Sequence, residues 1–257
     1  MREFTSTARG VAWRSIHLTV TNPAFLLPAV IFPLIFYIAF AGGLSSVGNV
    51  PGFEYPAGYD TFQFGFVLLQ ASAFGGVFSG FGIAADFERG FARRYFLAAA
   101  HREAILVGYW LGALGRATLT AGLLTIVALV TGMRPLSSPL QGVELALLAA
   151  LVCTAAMLFA CGVAMRLKTV QAGPAMQMPV FLALFLAPVF VPLNLVAGWV
   201  HSVASVNPIT ALMDGARDLL AGEHVAAGLV YGTAAAMVAV FGIWALRGLR
   251  SAERTGA

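Results

Sequence analysis

Long apolar runs separated by short polar stretches set the pattern of this 257-residue chain. Ala24 to Gly42 is the first run, with Pro28 and Pro33 inside it, a placement lipid-embedded helices tolerate. Thr61 to Ala85 carries no charge, Leu106 to Thr131 carries only Arg116, and Leu145 to Met165 carries none. Val170 to Pro192 is a fifth run, broken by Pro174, Pro179 and Pro188, and His224 to Leu246 is the sixth. Each is near the roughly 20 residues that cross a bilayer as a helix. The pattern predicts an all-α integral membrane protein with six transmembrane helices.

The polar stretches fill in the plan. Residues 1–23 place Trp13, Ile16 and Val20 on one helical face and Arg14, His17 and Thr21 on another, which predicts an N-terminal interfacial amphipathic helix. Residues 24–257 form the six-span domain. Gly43 to Asp60 predicts a loop, as does the stretch with Arg134, Pro135, Pro139 and Glu144. Leu193 to Gly222 is irregular, with Trp199 and His201, then Asn207-Pro208, then Asp214, Arg217 and Asp218. It predicts a short outer helical segment between spans five and six, with Asp214 and Arg217 pairing at i, i+3. The tail from Arg247 onward is basic and is expected to be mobile.

Composition excludes an ordinary soluble domain. Charged residues are 10% of the chain, against roughly a quarter in soluble proteins. Six spans put both termini on one side with twelve of the fifteen basic residues, while only Arg134 and Arg217 fall on the other. That bias predicts a multi-pass protein of the cell membrane with both termini cytoplasmic. It also explains the net charge of +4 without nucleic acid. Asp86 to Glu103 then becomes a cytoplasmic island with seven charges in eighteen positions.

No catalytic constellation is present. The sequence has no Walker, HExxH or GxSxG motif, no Cys/His metal spacing, and four isolated histidines. Cys153 and Cys161, eight residues apart in one run, predict small core or lipid-facing residues and no disulfide. No acid lies within the borders of a span, which argues against an ion-coupled carrier. Arg116 is the one charge at depth, either a pathway or interface charge or a side chain snorkelling from a helix that starts in the cytoplasm. Gly76 and Gly80 form a GxxxG pair that lets another helix approach closely. In the island, Phe87, Phe91 and Tyr95 fall at i, i+4 and i+8, with Glu88, Arg89 and Arg93 on another face. Such an element can insert aromatics into a partner's groove or lie back on the membrane.

The island Asp86-Phe87-Glu88-Arg89-Gly90, followed by Arg93, Leu97, Arg102, Gly108 and Arg116, resembles the intracellular segment of ABC-2 type transporter permeases of the drug-exporter, daunorubicin-exporter-like group. Trp199, Val203, Asn207-Pro208, Ala211, Arg217 and Gly222 resemble the outer stretch of the same family. Arg14, Asn22-Pro23 and the proline-bearing first span fit it too, so the resemblance covers nearly the whole chain. Ala99-Ala100 departs from it, since members often carry a proline there.

The resemblance implies a non-catalytic permease subunit of an ATP-driven exporter of drugs or lipids. Two permease chains, as homo- or heterodimer, pair with two ATP-binding cassette subunits. ATP and Mg are bound by those subunits, and no cofactor is bound by this chain. Segment 86–103 is the coupling element in that scheme. Its contacts centre on Asp86, Phe87, Glu88, Arg89, Gly90, Phe91, Arg93, Arg94 and Tyr95. A self-contained secondary transporter or membrane enzyme, or an exporter of lipid-linked polysaccharide, is the alternative.

Overall fold

A computed structural model describes residues 2–21, 23–91 and 103–254. Among the described residues the chain is helical, with no strand. The helices are α1 (Arg2–Thr21), α2 (Pro23–Tyr37), α3 (Gly58–Glu88), α4 (Glu103–Thr131), α5 (Pro139–Leu167), α6 (Gly173–Phe185), α7 (Gly198–Val206), α8 (Pro208–Ala221) and α9 (Ala227–Arg254). Four of them, α3, α4, α5 and α9, are long and apolar enough to cross a membrane. Two shorter apolar segments, Val30–Gly42 and Val170–Phe185, accompany them.

Helix α3 is the axis of the bundle. In its most apolar stretch 83% of the residues are buried, against 17% in α9, so α3 is wrapped by protein and α9 faces outward. The reason lies in its glycines. A Cβ at Gly76 would stand 2.3 Å from the Cys153 carbonyl oxygen, and one at Gly80 would stand 2.7 Å from the Ala160 methyl. The GxxxG pair therefore lets α5 close on α3 within the same chain. Cys153 and Cys161 are buried free thiols on α5.

Contacts define two ends of the bundle. Glu88 at the end of α3 meets Thr169 after α5, and Trp244 near the end of α9 meets Arg166. With α1 and the start of α4, these make the end that carries both termini. At the far end Tyr55 reaches Arg217, Leu136 reaches Leu220, and Phe40 lies against Phe190.

Several boundaries differ from the hydropathy reading. Helix α5 begins at Pro139 and not at Leu145, because Ser138 and Gln141 form a capping box and proline suits the first turn. Glu144 is therefore helical. Helix α9 continues through the basic tail as far as Arg254, where mobility was expected. Helix α6 ends at Phe185, and the chain then continues without helix past Pro188 toward the far end. The outer pair appears as α7 and α8. Asn207 joins them, accepting from Ile209 N at 3.0 Å and donating to the Ala183 carbonyl at 2.6 Å.

Helix α1 forms, but Trp13, the largest residue of its expected apolar face, is not on the side that packs against protein. Ala8, Val11 and Ala12 are buried while Trp13 is 69% exposed. Small residues decide this, because α1 lies along Gly108, Gly112 and Gly115 of α4. Cβ atoms there would clash with Val11, Ser15 and Ile16. A tryptophan cannot enter so tight a seam, so it faces outward.

Candidate functional site

The site begins where α3 runs out. Gly90 adopts φ 72°, a left-handed conformation that costs glycine little, and it turns the chain away from the helix. Four side chains just before and after this turn are each held by a neighbouring element. Asp86 is buried, and Arg14 of α1 donates to both its oxygens at 2.9 and 2.6 Å. Tyr109 of α4 donates a further short hydrogen bond to Asp86 Oδ2. Phe87 lies under the Lys168 ammonium, 5.3 Å from its ring centroid. Glu88 accepts from the Thr169 hydroxyl at 2.7 Å and from Val170 N at 2.9 Å. Phe91 sits beneath the Arg14 guanidinium at 5.0 Å. The turn thus ties together α1, α3, α4 and the α5–α6 connection.

Charge is confined in this node. Arg14 and Asp86 neutralise each other, with only 6% of the Asp86 side chain exposed. A charge-assisted, two-pronged pair of this kind also fixes orientation. Glu88, Arg89, Gly90 and Phe91 remain exposed around it.

A second arginine lies deeper. Arg116 is 8% exposed and donates to Ser15 of α1 at 3.0 Å, to Ser79 of α3 through a short bond, and to the Gly75 carbonyl at 3.5 Å. It points into the junction of α1, α3 and α4 and does not snorkel. Ser79 and Asp86 are seven apart on α3, so one face of that helix meets both arginine layers.

Among the described residues the far end holds the second buried arginine. Arg217 of α8 is 3% exposed and stacks on Phe62, 3.5 Å from the ring centroid. It donates to the Val189 carbonyl at 3.1 Å and the Phe62 carbonyl at 3.4 Å, and stands 3.7 Å from Asp214. The expected i, i+3 pair is therefore present. Its larger task is to satisfy the Val189 carbonyl in the non-helical stretch after α6. Gln63 shares that task, donating to Val189 at 3.2 Å and to Tyr59 at 2.7 Å. Nearby, Asp218 is half-buried, and burial pushes its carboxyl up to about 6, with Asp214 and Glu223 adding to the rise.

A family model described as ABC-2 type transporter matches residues 8–221. The chain belongs to the ABC-2 type transporter family. No curated protein matches it. It is thus a multi-pass membrane permease subunit of an ABC transporter, and the family is one that associates with an ATP-binding subunit.

Within this ABC-2 permease, the residues singled out in the sequence fall in separate places. Asp86 to Phe91 gather at the termini end, whereas Arg93, Arg94 and Tyr95 lie outside the described residues. Gly76 and Gly80 line the α3–α5 seam. Trp199 is 70% exposed on α7, while Asn207, Pro208 and Arg217 build the far end. Sequence reasoning missed Arg14, Tyr109, Thr169 and Gln63 as partners. Arg14 was visible as a charge among apolar residues, but only the fold brings it across to Asp86.

The permease also has an apolar cleft of about 420 Å³ between α4 and α5. Leu114, Ala121, Gly122, Ala146 and Ala149 are among its lining residues.

Proposed function

We propose that this permease serves an ATP-driven exporter of hydrophobic or amphiphilic compounds, and that its ATP-binding subunit docks on Glu88, Arg89, Gly90 and Phe91. The observation that carries this reading is the tied turn at the end of α3. An exposed patch transmits force only if it is braced, and each neighbour of this patch is held by a directional contact. Arg14 holds Asp86, and Thr169 with Val170 holds Glu88. Displacement of the turn would therefore be passed to α1, α4 and the α5–α6 connection together.

Asp86 plays an internal part in this scheme. It is too buried to meet a partner, so it acts as the anchor behind the patch, while Arg89 and Phe91 present charge and aromatic surface to it. Six crossings, with both termini and this patch on the cytoplasmic side, remain our reading of the topology, supported by the charge bias. Two permease chains and two ATP-binding subunits complete the assembly, with ATP and Mg on the latter. The apolar cleft and the lack of charge on most span surfaces favour an apolar cargo.

The test is purification of the tagged permease co-expressed with its ATP-binding subunit. Arg89→Glu should weaken recovery of that subunit while membrane insertion is kept. Glu88→Arg with Gly90→Trp should abolish coupling. Full recovery and full transport in both variants would exclude docking at this turn.

A further inference from the structure

The termini end carries a second cationic feature that the coupling turn does not use. Arg166, in the last turn of α5, lies across one turn of α9. Its guanidinium is 3.6 Å from the Trp244 ring centroid and donates to the Trp244 carbonyl at 3.1 Å and the Gly162 carbonyl at 2.5 Å. A Cβ at Gly248 would stand 2.9 Å from Arg166 Nη1, so glycine is what lets the guanidinium lie flat on the helix. Arg247 is exposed, follows Trp244 by one helical turn and directly precedes Gly248, so it belongs to the turn of α9 on which Arg166 lies.

Among the described side chains no carboxylate pairs with Arg166 or Arg247. The helical neighbours of Arg247 are Ile243, Trp244, Arg250 and Ser251, and none is acidic. Two arginines thus share one turn of α9, Arg166 laid across it and Arg247 on it, a pairing that suits an anion held between them. The position suggests which anion. The two helices are membrane spans, Ile243 and Leu246 are exposed apolar residues on the adjoining surface, and Trp244 is 37% exposed beside them. Tryptophan and arginine in this arrangement belong at the headgroup level of a bilayer.

We propose that Arg166 and Arg247, with Arg250 as a neighbouring cation, bind the phosphate of an anionic phospholipid whose chains lie on the α9 surface beside Trp244. The geometry favours a phosphate diester over a carboxylate side chain of a partner protein, because the adjoining surface is apolar and lies along membrane-spanning helices. Arginine suits this task, since its five N–H donors lie in the guanidinium plane, and those not given to the Gly162 and Trp244 carbonyls stay available while the face stacks on the indole. The inference depends on the membrane assignment alone and not on the docking site of the ATP-binding subunit.

Native mass spectrometry of the full chain in mild detergent tests this, with phosphatidylglycerol and phosphatidylcholine as probes. The wild type should retain phosphatidylglycerol in preference to phosphatidylcholine. Arg247→Gln should weaken phosphatidylglycerol retention about fivefold, the worth of one cation near a charged lipid surface. Arg166→Gln with Arg247→Gln should weaken it further, with phosphatidylcholine unaffected. Arg247 is exposed, so its single substitution decides the matter even if the double variant does not fold. Equal retention of both lipids by the wild type, or unchanged phosphatidylglycerol retention in Arg247→Gln, overturns the proposal. Displacement of the lipid by inorganic phosphate at comparable concentration would assign the site to the free anion and overturn it too. Loss of the ATP-binding subunit in Arg247→Gln, with lipid retention unchanged, would make the patch a protein contact instead.

Discussion

Arg14 and Asp86 are 72 positions apart, yet the Arg14 guanidinium meets both oxygens of the Asp86 carboxylate, at 2.9 and 2.6 Å. The pair fastens the N-terminal helix to the end of the central span. Removing either partner leaves a charge in a place built for two. Asp86→Ala should therefore lower stability by about 2 kcal/mol, at or below the low end for a broken buried pair because Arg14 is partly exposed. Thermal unfolding in detergent measures it. A double-mutant cycle with Arg14→Ala should return a coupling of at least about 1 kcal/mol, and strict additivity would mean the contact carries no energy.

The α3–α5 seam gives a size prediction. Gly76→Ala places a methyl against the Cys153 carbonyl and should destabilise by about 1–3 kcal/mol, the usual cost of overpacking. Gly122→Ala and Gly142→Ala meet nothing within 4 Å and serve as controls. They should leave the unfolding temperature in place or raise it slightly, since alanine suits a helix better. Equal effects at all three positions would contradict the close approach.

Much of this was legible in the sequence, for a physical reason. A bilayer forces long apolar helices, so the runs ending near Ala85 and Thr131 and the all-α class follow from hydropathy alone. The glycine pair on α3 announced a tight helix contact. The partners at the site were not legible. Tyr109 and Thr169 are ordinary residues until the fold places them beside Asp86 and Glu88. The same holds for α1, where Trp13 dominated the apolar face but the glycines of α4 selected Ala8, Val11 and Ala12 for burial. Hydropathy ranks side chains by their dislike of water, and within lipid that ranking no longer says which face packs on protein.

At the far end, Arg217→Lys should fail to replace arginine. A lysine offers one compact charge, whereas Arg217 reaches the Phe62 and Val189 carbonyls from two nitrogens and stacks on Phe62. Unfolding temperatures of Arg217→Lys and Arg217→Met should both fall well below wild type. Wild-type stability in Arg217→Lys would reduce the residue to a simple charge.

Asp218 adds a pH dependence. Burial raises its carboxyl from the ordinary 3.8 to about 6, so the folded protein holds this proton more tightly than the unfolded chain. Its contribution to stability is full below pH 3.8 and is lost as pH rises through about 6. Asp218→Asn should then raise the unfolding temperature at pH 7.5 and change it little near pH 4. The opposite order, with the benefit confined to low pH, would mean the carboxylate form is the one the fold favours.

A photo-crosslinker placed at Arg89, with a second placed at Trp199 on the opposite end, tests docking at the α3 turn in the permease co-expressed with its ATP-binding subunit. Docking at this turn should give a crosslinked product from Arg89 that contains a chain with a Walker A segment, and none from Trp199. A crosslink to that chain from Trp199, or none from Arg89 while the complex is intact, would contradict docking at the α3 turn.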